Sequence, residues 1–252
     1  MRFAGQLSFD IEDETKEAMR AKAYLLKDIS AERIRDELTK LLMSEHPELL
    51  KSVGYELGLT KIVLPELDRM LETTQENPFH CYDVGTHSLV AVKNIEANAT
   101  LRFVMLLHDV GKPVTKTMDE DGTCHFYRHA EVGTDIAESI LKRLKFDNET
   151  IRKAKTLIFY HGYNWGETVS DRVIRRAASK VGEDNIRDLF KVQRADVLAQ
   201  SDLLKKEKLE LLDKIKERYE ELLNEGQAMS LKDLAINGND LIDLGYKPGP
   251  QI

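Results

Sequence analysis

Along most of the chain, apolar residues recur at the three- and four-residue intervals of helices that bury one face. Over residues 13–27, Ala18, Ala21, Tyr24 and Leu25 repeat at that spacing. Ser30 then reads as the N-cap of a second helix with Ile34, Leu38, Leu41 and Leu42 turned inward. Pro47 heads a shorter helix and Gly58 stops it. From about 83 to 162, apolar helical runs alternate with short polar connections, and 119–122 is the strong turn signal among them. A helix over 171–181 comes next, followed by a long one containing Phe190 and Val197. A highly charged helix near 202–224 carries a narrow seam of Leu211, Ile215, Tyr219 and Leu222, closed by Gly226. Ser230 caps a further helix, and Gly238 and Gly245 punctuate the remainder. Strand signals are confined to a small ribbon around 115–118 and 123–127. The pattern predicts an all-α fold with at most that ribbon, and it contains no internal repeat or low-complexity tract.

Composition adds bounds. At 252 residues and 42% hydrophobic, the chain can bury a substantial core, and six prolines and fourteen glycines are few. No apolar run has the length to cross a bilayer, and the N-terminus lacks a basic-then-apolar leader, so no membrane partner and a cytoplasmic location are expected. The cysteines, Cys81 and Cys124, make neither a thiolate metal site nor a disulfide framework. A net charge of -7 argues against unspecific RNA binding by the surface as a whole. Arg172, Arg175 and Arg176 nevertheless project from one side of their helix, followed by Lys180, as a candidate phosphate-contacting face or a solvated one.

Candidate chemistry centres on the string LLHDVGKP. The apolar run Phe103, Val104, Leu106 and Leu107 ends on His108 and Asp109. Burying an unpaired imidazole or carboxylate there costs several kcal/mol, a cost that a bound cation removes. Gly111, Lys112 and Pro113 end the helix and set a cation beside the pair. His87 lies one helix earlier, and His129, His161 and Asp196 follow in order, each on or beside a helical pattern. Imidazole nitrogens mixed with carboxylate oxygens suit Mn, Fe, Co, Ni or Zn, whereas Mg prefers oxygen ligands and is the less suited choice. His80, His125 and His46 read as non-ligands: His80 as a helix-leading residue on the His87 face, His125 in a hairpin, His46 at a helix stop.

This H...HD...D order resembles the HD superfamily of metal-dependent phosphohydrolases. The resemblance implies His87, His108, Asp109 and Asp196 as core ligands of a divalent metal, with His129 and His161 as ligands of a second. It makes Asp109 a catalytic residue and gives Lys112 the role of a point charge on the phosphate of a phosphate-ester substrate, with solvated surface as its other reading. Two departures are visible. Gly85 stands where the superfamily has a tryptophan-like residue, which leaves room beside His87, and FYHGYNW has one histidine where many members have two, so one ion or two stays open.

Other stretches resemble the C-terminal part of bacterial tRNA nucleotidyltransferases, the CCA-adding and poly(A) polymerase family, in its HD-bearing branch. RFAGQLSFDIEDETKEAM, SAERIRDELTKLL, IVLPELDRM, NPFHCYDVGTHSL, DEDGTCHFYRHAEVG, DRVIRRAASKVGED and LAINGNDLIDLGYKPGP follow the family's order over nearly the whole chain. The resemblance implies a helical neck over 1–72, an HD-type helical bundle over 73–200 and a truncated helical body and tail over 201–252. The family's glycine-rich nucleotide-holding turn and paired aspartates are not in this sequence, so it reads as a fragment from which nucleotide addition is not expected. tRNA is then the expected partner through the parent protein, with Arg172, Arg175 and Arg176 facing its phosphates. The reading that follows is a metal-dependent phosphohydrolase acting on RNA ends or nucleotides, including 2',3'-cyclic phosphates. A tRNA-binding scaffold with a vestigial site and a free-standing HD nucleotidase stay open beside it, as do the oligomeric state and whether the parent adds CCA, part of it, or poly(A).

Overall fold

In this computed structural model the structure describes residues 1–225, 238–243 and 245. Several helices begin where the sequence supplies a short polar side chain to accept an otherwise unpartnered first-turn amide. Ser30, Asp83, Asn98 and Asp147 accept from the amides of Arg33, Thr86, Leu101 and Thr150 respectively. In chain order the helices are α1 (Arg2–Leu7), α2 (Asp13–Lys22), α3 (Ala31–Leu42), α4 (Thr60–Val63), α5 (Pro65–Leu71), α6 (Val84–Lys93), α7 (Ala99–Leu107) and α8 (Lys112–Thr115). A two-stranded antiparallel ribbon follows, β1 (Lys116–Met118) and β2 (Cys124–Phe126), with Thr117 opposite His125. Gly122, at φ 84°, makes the turn the sequence signalled. Then come α9 (His129–Arg143), α10 (Asn148–Tyr160), α11 (Asp171–Val181), α12 (Glu183–Leu198), α13 (Lys205–Asn224) and α14 (Gly238–Asp243). The chain is mainly helical, as the periodicity predicts.

Helix α7 is the axis of the core. Every residue from Leu101 to Leu107 is buried, and α3, α6, α10 and α12 pack around it. A helix that is apolar all round belongs inside, which is why LRFVMLL lacks a polar face. Its one cation, Arg102, is buried and donates to the carbonyls of Leu42 and Ser44, so the end of α3 is satisfied by a side chain from the core helix.

Some faces differ from the sequence reading. The predicted helix over 13–27 changes at Lys22 into a 3₁₀ stretch, Ala23–Asp28. Helix α2 buries none of its residues, so Ala18 and Ala21 face solvent. In the 3₁₀ stretch the three-residue turn buries Ala23 and leaves Tyr24 and Leu25 exposed. The segment after Pro47 forms a π-helical turn, Leu50–Tyr55, and Gly58 ends it at φ 71°. In α13 the fully buried seam is Leu212, Ile215, Tyr219 and Leu222, with the predicted Leu211 half-buried against the core beside it. Gly226 and Ser230 lie outside the described residues. Among the described residues, no helix is long and apolar enough to cross a membrane.

Candidate metal centre

Five helix ends and faces bring the chemistry together. His87 comes from the first turns of α6, and His108 and Asp109 from the turn that ends α7. His129 opens α9, His161 follows the last residue of α10, and Asp196 lies near the end of α12. His87, His108 and Asp109 are fully buried and His161 nearly so. The centre meets solvent through Asp196 and His129, whose side chains are 18% and 25% exposed.

The donors fall into two groups. His87 Nε2 lies 2.8 Å from Asp196 Oδ1 and 3.3 Å from His108 Nε2. His129 Nε2 lies 3.2 Å from His161 Nε2. Asp109 stands between them: Oδ2 is 3.3 Å from His108 Nε2 and 3.6 Å from His87 Nε2, while Oδ1 is 3.5 Å from His129 Nε2 and 3.6 Å from His161 Nε2. Ligands about 2.1 Å from one ion are roughly 3.0–3.4 Å from each other in octahedral or tetrahedral arrangements, and the spacings here, 2.8–3.6 Å, bracket that range. The triads His87, His108, Asp196 and Asp109, His129, His161 each have donor atoms within 4.8 Å of one another.

Two observations test whether these residues fit a metal. Asp109 Oδ1 is buried and has no hydrogen-bond partner, which a structure tolerates rarely without an ion or water to take it. Each ring also turns Nδ1 onto a backbone carbonyl: His87 to Ala199 at 3.2 Å, His108 to Met105 at 2.7 Å, His129 to Phe126 at 2.8 Å and His161 to Ile158 at 2.7 Å. A carbonyl only accepts, so Nδ1 carries the hydrogen and the Nε2 lone pairs are left for the cluster. The residues fit.

Charge in the cluster is strongly coupled. Burial alone depresses the His108 imidazolium, but the Asp109 and Asp196 carboxylates outweigh it and raise it to about 10. Burial pushes Asp109 up, and His108 and Lys112 overcome it to hold the carboxyl well below its usual range. Asp196 is likewise held low against burial by His108 and His87. His129 is lowered to about 4 by burial, Asp109 opposing.

Lys112 is buried, not a solvated surface residue, and its Nζ lies 2.7 Å from Asp109 Oδ2 while donating to Gln75 Oε1 at 2.8 Å. Gly85 leaves no room beside His87, because a Cβ there would lie 2.6 Å from Leu71 Cγ; α5 fills the space. His80 precedes α6 instead of sharing its face, with its ring 5.3 Å from that of His87. His125 Nε2 lies 2.6 Å from Asp119 Oδ2 in the ribbon, and His46 sits between Ser8 and Glu48, both apart from the cluster. Arg172 and Arg176 are exposed on α11, and Arg175 is half-buried there beside the charge of Asp171. Periodicity carried no signal for Gln75 or Gln200, polar residues that the tertiary contacts bring against Lys112 and Asp196.

The HD domain family model matches residues 79–201. A second model, described as the probable RNA- and SrmB-binding site of polymerase A, matches residues 8–71, a segment that the sequence resemblance placed in a helical neck. The chain is 37% identical over 173 residues to an A-adding tRNA nucleotidyltransferase of Deinococcus radiodurans, covering 64% of this chain and 39% of that protein. It is 30% identical to a CC-adding tRNA nucleotidyltransferase of Thermus thermophilus, covering 100% of this chain and 58% of the relative. A multifunctional CCA protein of Vibrio cholerae is 32% identical over 59% of this chain and 38% of its own length. The chain thus spans 38–58% of the length of these curated relatives.

Proposed function

The chain carries an HD domain behind a poly(A)-polymerase-type RNA-binding segment and is a relative of the HD-containing C-terminal part of tRNA nucleotidyltransferases, and on that premise we propose that it is a tRNA-binding unit whose clustered site is a divalent-metal-dependent phosphohydrolase. Its substrates are phosphate esters of RNA ends or nucleotides, among them 2',3'-cyclic phosphates. The observation that carries the reading is Asp109, with one carboxylate oxygen facing His108 and His87 and the other facing His129 and His161.

His87, His108, Asp196 and Asp109 would hold one ion, and Asp109, His129 and His161 a second. Mixed nitrogen and oxygen donors favour Mn, Fe, Co, Ni or Zn over Mg. When bound, such ions lower the pKa of water towards neutrality and neutralise phosphoryl oxygens during in-line displacement. The chain's own groups set the stage for that. Lys112 keeps Asp109 ionised and turned into the cluster. The four carbonyls fix the rings so that no reorganisation is needed on binding. Asp196 and His129 leave the solvent side open, so a phosphate ester approaches between them. RNA is held by the 8–71 segment, with Arg172 and Arg176 as a second phosphate-facing surface.

Elemental analysis of purified chain, followed by turnover of adenosine 2',3'-cyclic phosphate with Mn, Ni, Co and Mg in turn, tests the reading. We expect bound metal and turnover, both lost in Asp109→Ala. A chain that binds none of the four metals and hydrolyses nothing sinks it.

A further inference from the structure

On the open side of the centre, three side chains run outward from Asp196. Gln200, one helical turn on, donates through Nε2 to Asp196 Oδ2 at 3.2 Å, and its Oε1 accepts from Lys208 Nζ of α13 at 2.7 Å. The Lys208 ammonium lies 4.8 Å from the centre of the Phe79 ring. Phe79 is exposed, and its backbone is fixed: the Ser201 amide donates to its carbonyl at 2.9 Å, the Ser201 hydroxyl donates to the Pro78 carbonyl, and Asn77 Oδ1 accepts from its amide. The next residue, His80, sits with its ring against that of His87, so this loop forms the rim of the cluster.

Lys208 is unusual among the lysines here. Lys205 and Lys206 of the same helix face Asp202 and Glu210, whereas Lys208 is half-buried and, among the described residues, its direct contacts are an amide oxygen and an aromatic face, with the Asp196 carboxylate beyond Gln200. Lys112, the other lysine in contact with the cluster, is fully engaged by Asp109 and Gln75. A half-desolvated ammonium whose direct contacts are neutral, with the Asp196 charge acting on it only across Gln200, gains on exchanging one contact for a phosphate oxygen. That exchange bares the Phe79 ring, and every nucleobase has a π-face that stacks on an aromatic side chain.

We propose that Phe79 and Lys208 form a nucleotide-holding subsite beside Asp196, the ring carrying the base and the amine an anionic phosphate oxygen, so that the ester is presented to the cluster from the Asp196 side. The position of the phosphate rests on the phosphohydrolase reading. The subsite gives the centre a preference for nucleotides over simple phosphate esters without base-specific hydrogen bonds.

Calorimetric binding of adenosine 2',3'-cyclic phosphate and of inorganic phosphate to the full chain in EDTA, where the expected metal-dependent turnover cannot consume the ligand, tests it. Phe79→Ala is expected to lower the ratio of nucleotide to phosphate affinity roughly tenfold, the scale of one base–aromatic stack, with Phe79→Trp restoring it. Lys208→Ala weakens nucleotide binding to a similar degree and Lys208→Arg recovers most of the loss. Tyr24→Ala, an exposed aromatic elsewhere, serves as the control for nonspecific stacking. The proposal is overturned by wild-type chain that binds no nucleotide, or by Phe79→Ala and Lys208→Ala variants that bind it like wild type. Should the binding pattern hold while wild type turns over nothing, the subsite stands and the hydrolase reading is the one that fails.

Discussion

A Cβ added at Gly111 would lie 2.1 Å from the carbonyl oxygen of His129 and 2.7 Å from the amide of Gly133. Glycine at this place is what lets the start of α9 approach the turn that carries His108 and Asp109, and so sets the His129 ring against Asp109. Gly111→Ala must push the two apart. A loss of about 1–3 kcal/mol is expected from such overpacking. Thermal unfolding measures it, and metal analysis should show the His129 and His161 side emptied first. A variant with unchanged stability and metal content would mean that α9 can shift freely.

Asp109→Asn keeps shape but removes the charge shared by both donor groups. Metal content should fall on both sides, and Lys112 is left buried against a neutral amide. Removing one partner of a buried pair costs on the order of 3–5 kcal/mol, read as a lower melting temperature in EDTA. His125→Ala, in the ribbon, should change metal content not at all.

The pH response has a defined sign. His108 is raised from 6.5 to about 10, so in EDTA-stripped chain its contribution to stability is full below 6.5 and is lost as pH rises through 10. Asp109 and Asp196 are depressed from 3.8, so theirs is present above 3.8 and is lost as pH falls. Burial lowers His129 from 6.5 to about 4 and His80 to about 3, so their contribution is present above 6.5 and is lost as pH falls below it. Stripped chain should therefore be most stable near 6.5 and weaken on either side. At pH 7 an ion must displace the His108 proton, so Mn²⁺ affinity should rise with pH. Calorimetry in buffers of different ionisation enthalpy detects the released proton; heats independent of buffer would contradict the assignment.

Arg102→Ala leaves the carbonyls of Leu42 and Ser44 without their buried donor. A charged hydrogen bond contributes about 1.5–3 kcal/mol, and destabilisation of that order is expected in denaturant titration, with metal affinity little changed because Arg102 points towards α3. Loss of metal in this variant would show that the α3 contact also sets the cluster.

Charge reversal of Arg172 and Arg176 tests the RNA surface on α11. If they meet phosphates, tRNA affinity falls and the slope of log affinity against log salt drops by about one for each phosphate no longer neutralised. Unchanged binding would leave the 8–71 segment as the RNA-holding part.

Much of this protein was legible along one dimension. Ser30 and the turn at Gly122 act where local chemistry places them, because a cap or a positive φ depends on the residue and its immediate neighbours. The apolar run Phe103, Val104, Leu106 and Leu107 marked an inward helix that the structure buries as α7, and the helical period marked Ile215, Tyr219 and Leu222 as one seam. Local reading failed where the winding itself changed, as in the 3₁₀ stretch after Lys22 that left Tyr24 outward. In the regular helix α13 it was off by one position, with Leu212 buried and Leu211 half-buried beside it.

By itself the sequence determined which donors exist, in what order, and that each stands at the end or face of a helix. Only the tertiary structure decided that His87, His108, Asp109, His129, His161 and Asp196 converge, that Asp109 spans both donor groups, and that Lys112 points inward while Gln200 links Asp196 to Lys208. The physical reason is that a helical period fixes which side chains share one face, whereas the meeting of faces from different helices depends on close approaches such as that of Gly111 to His129, which no spacing along the chain encodes.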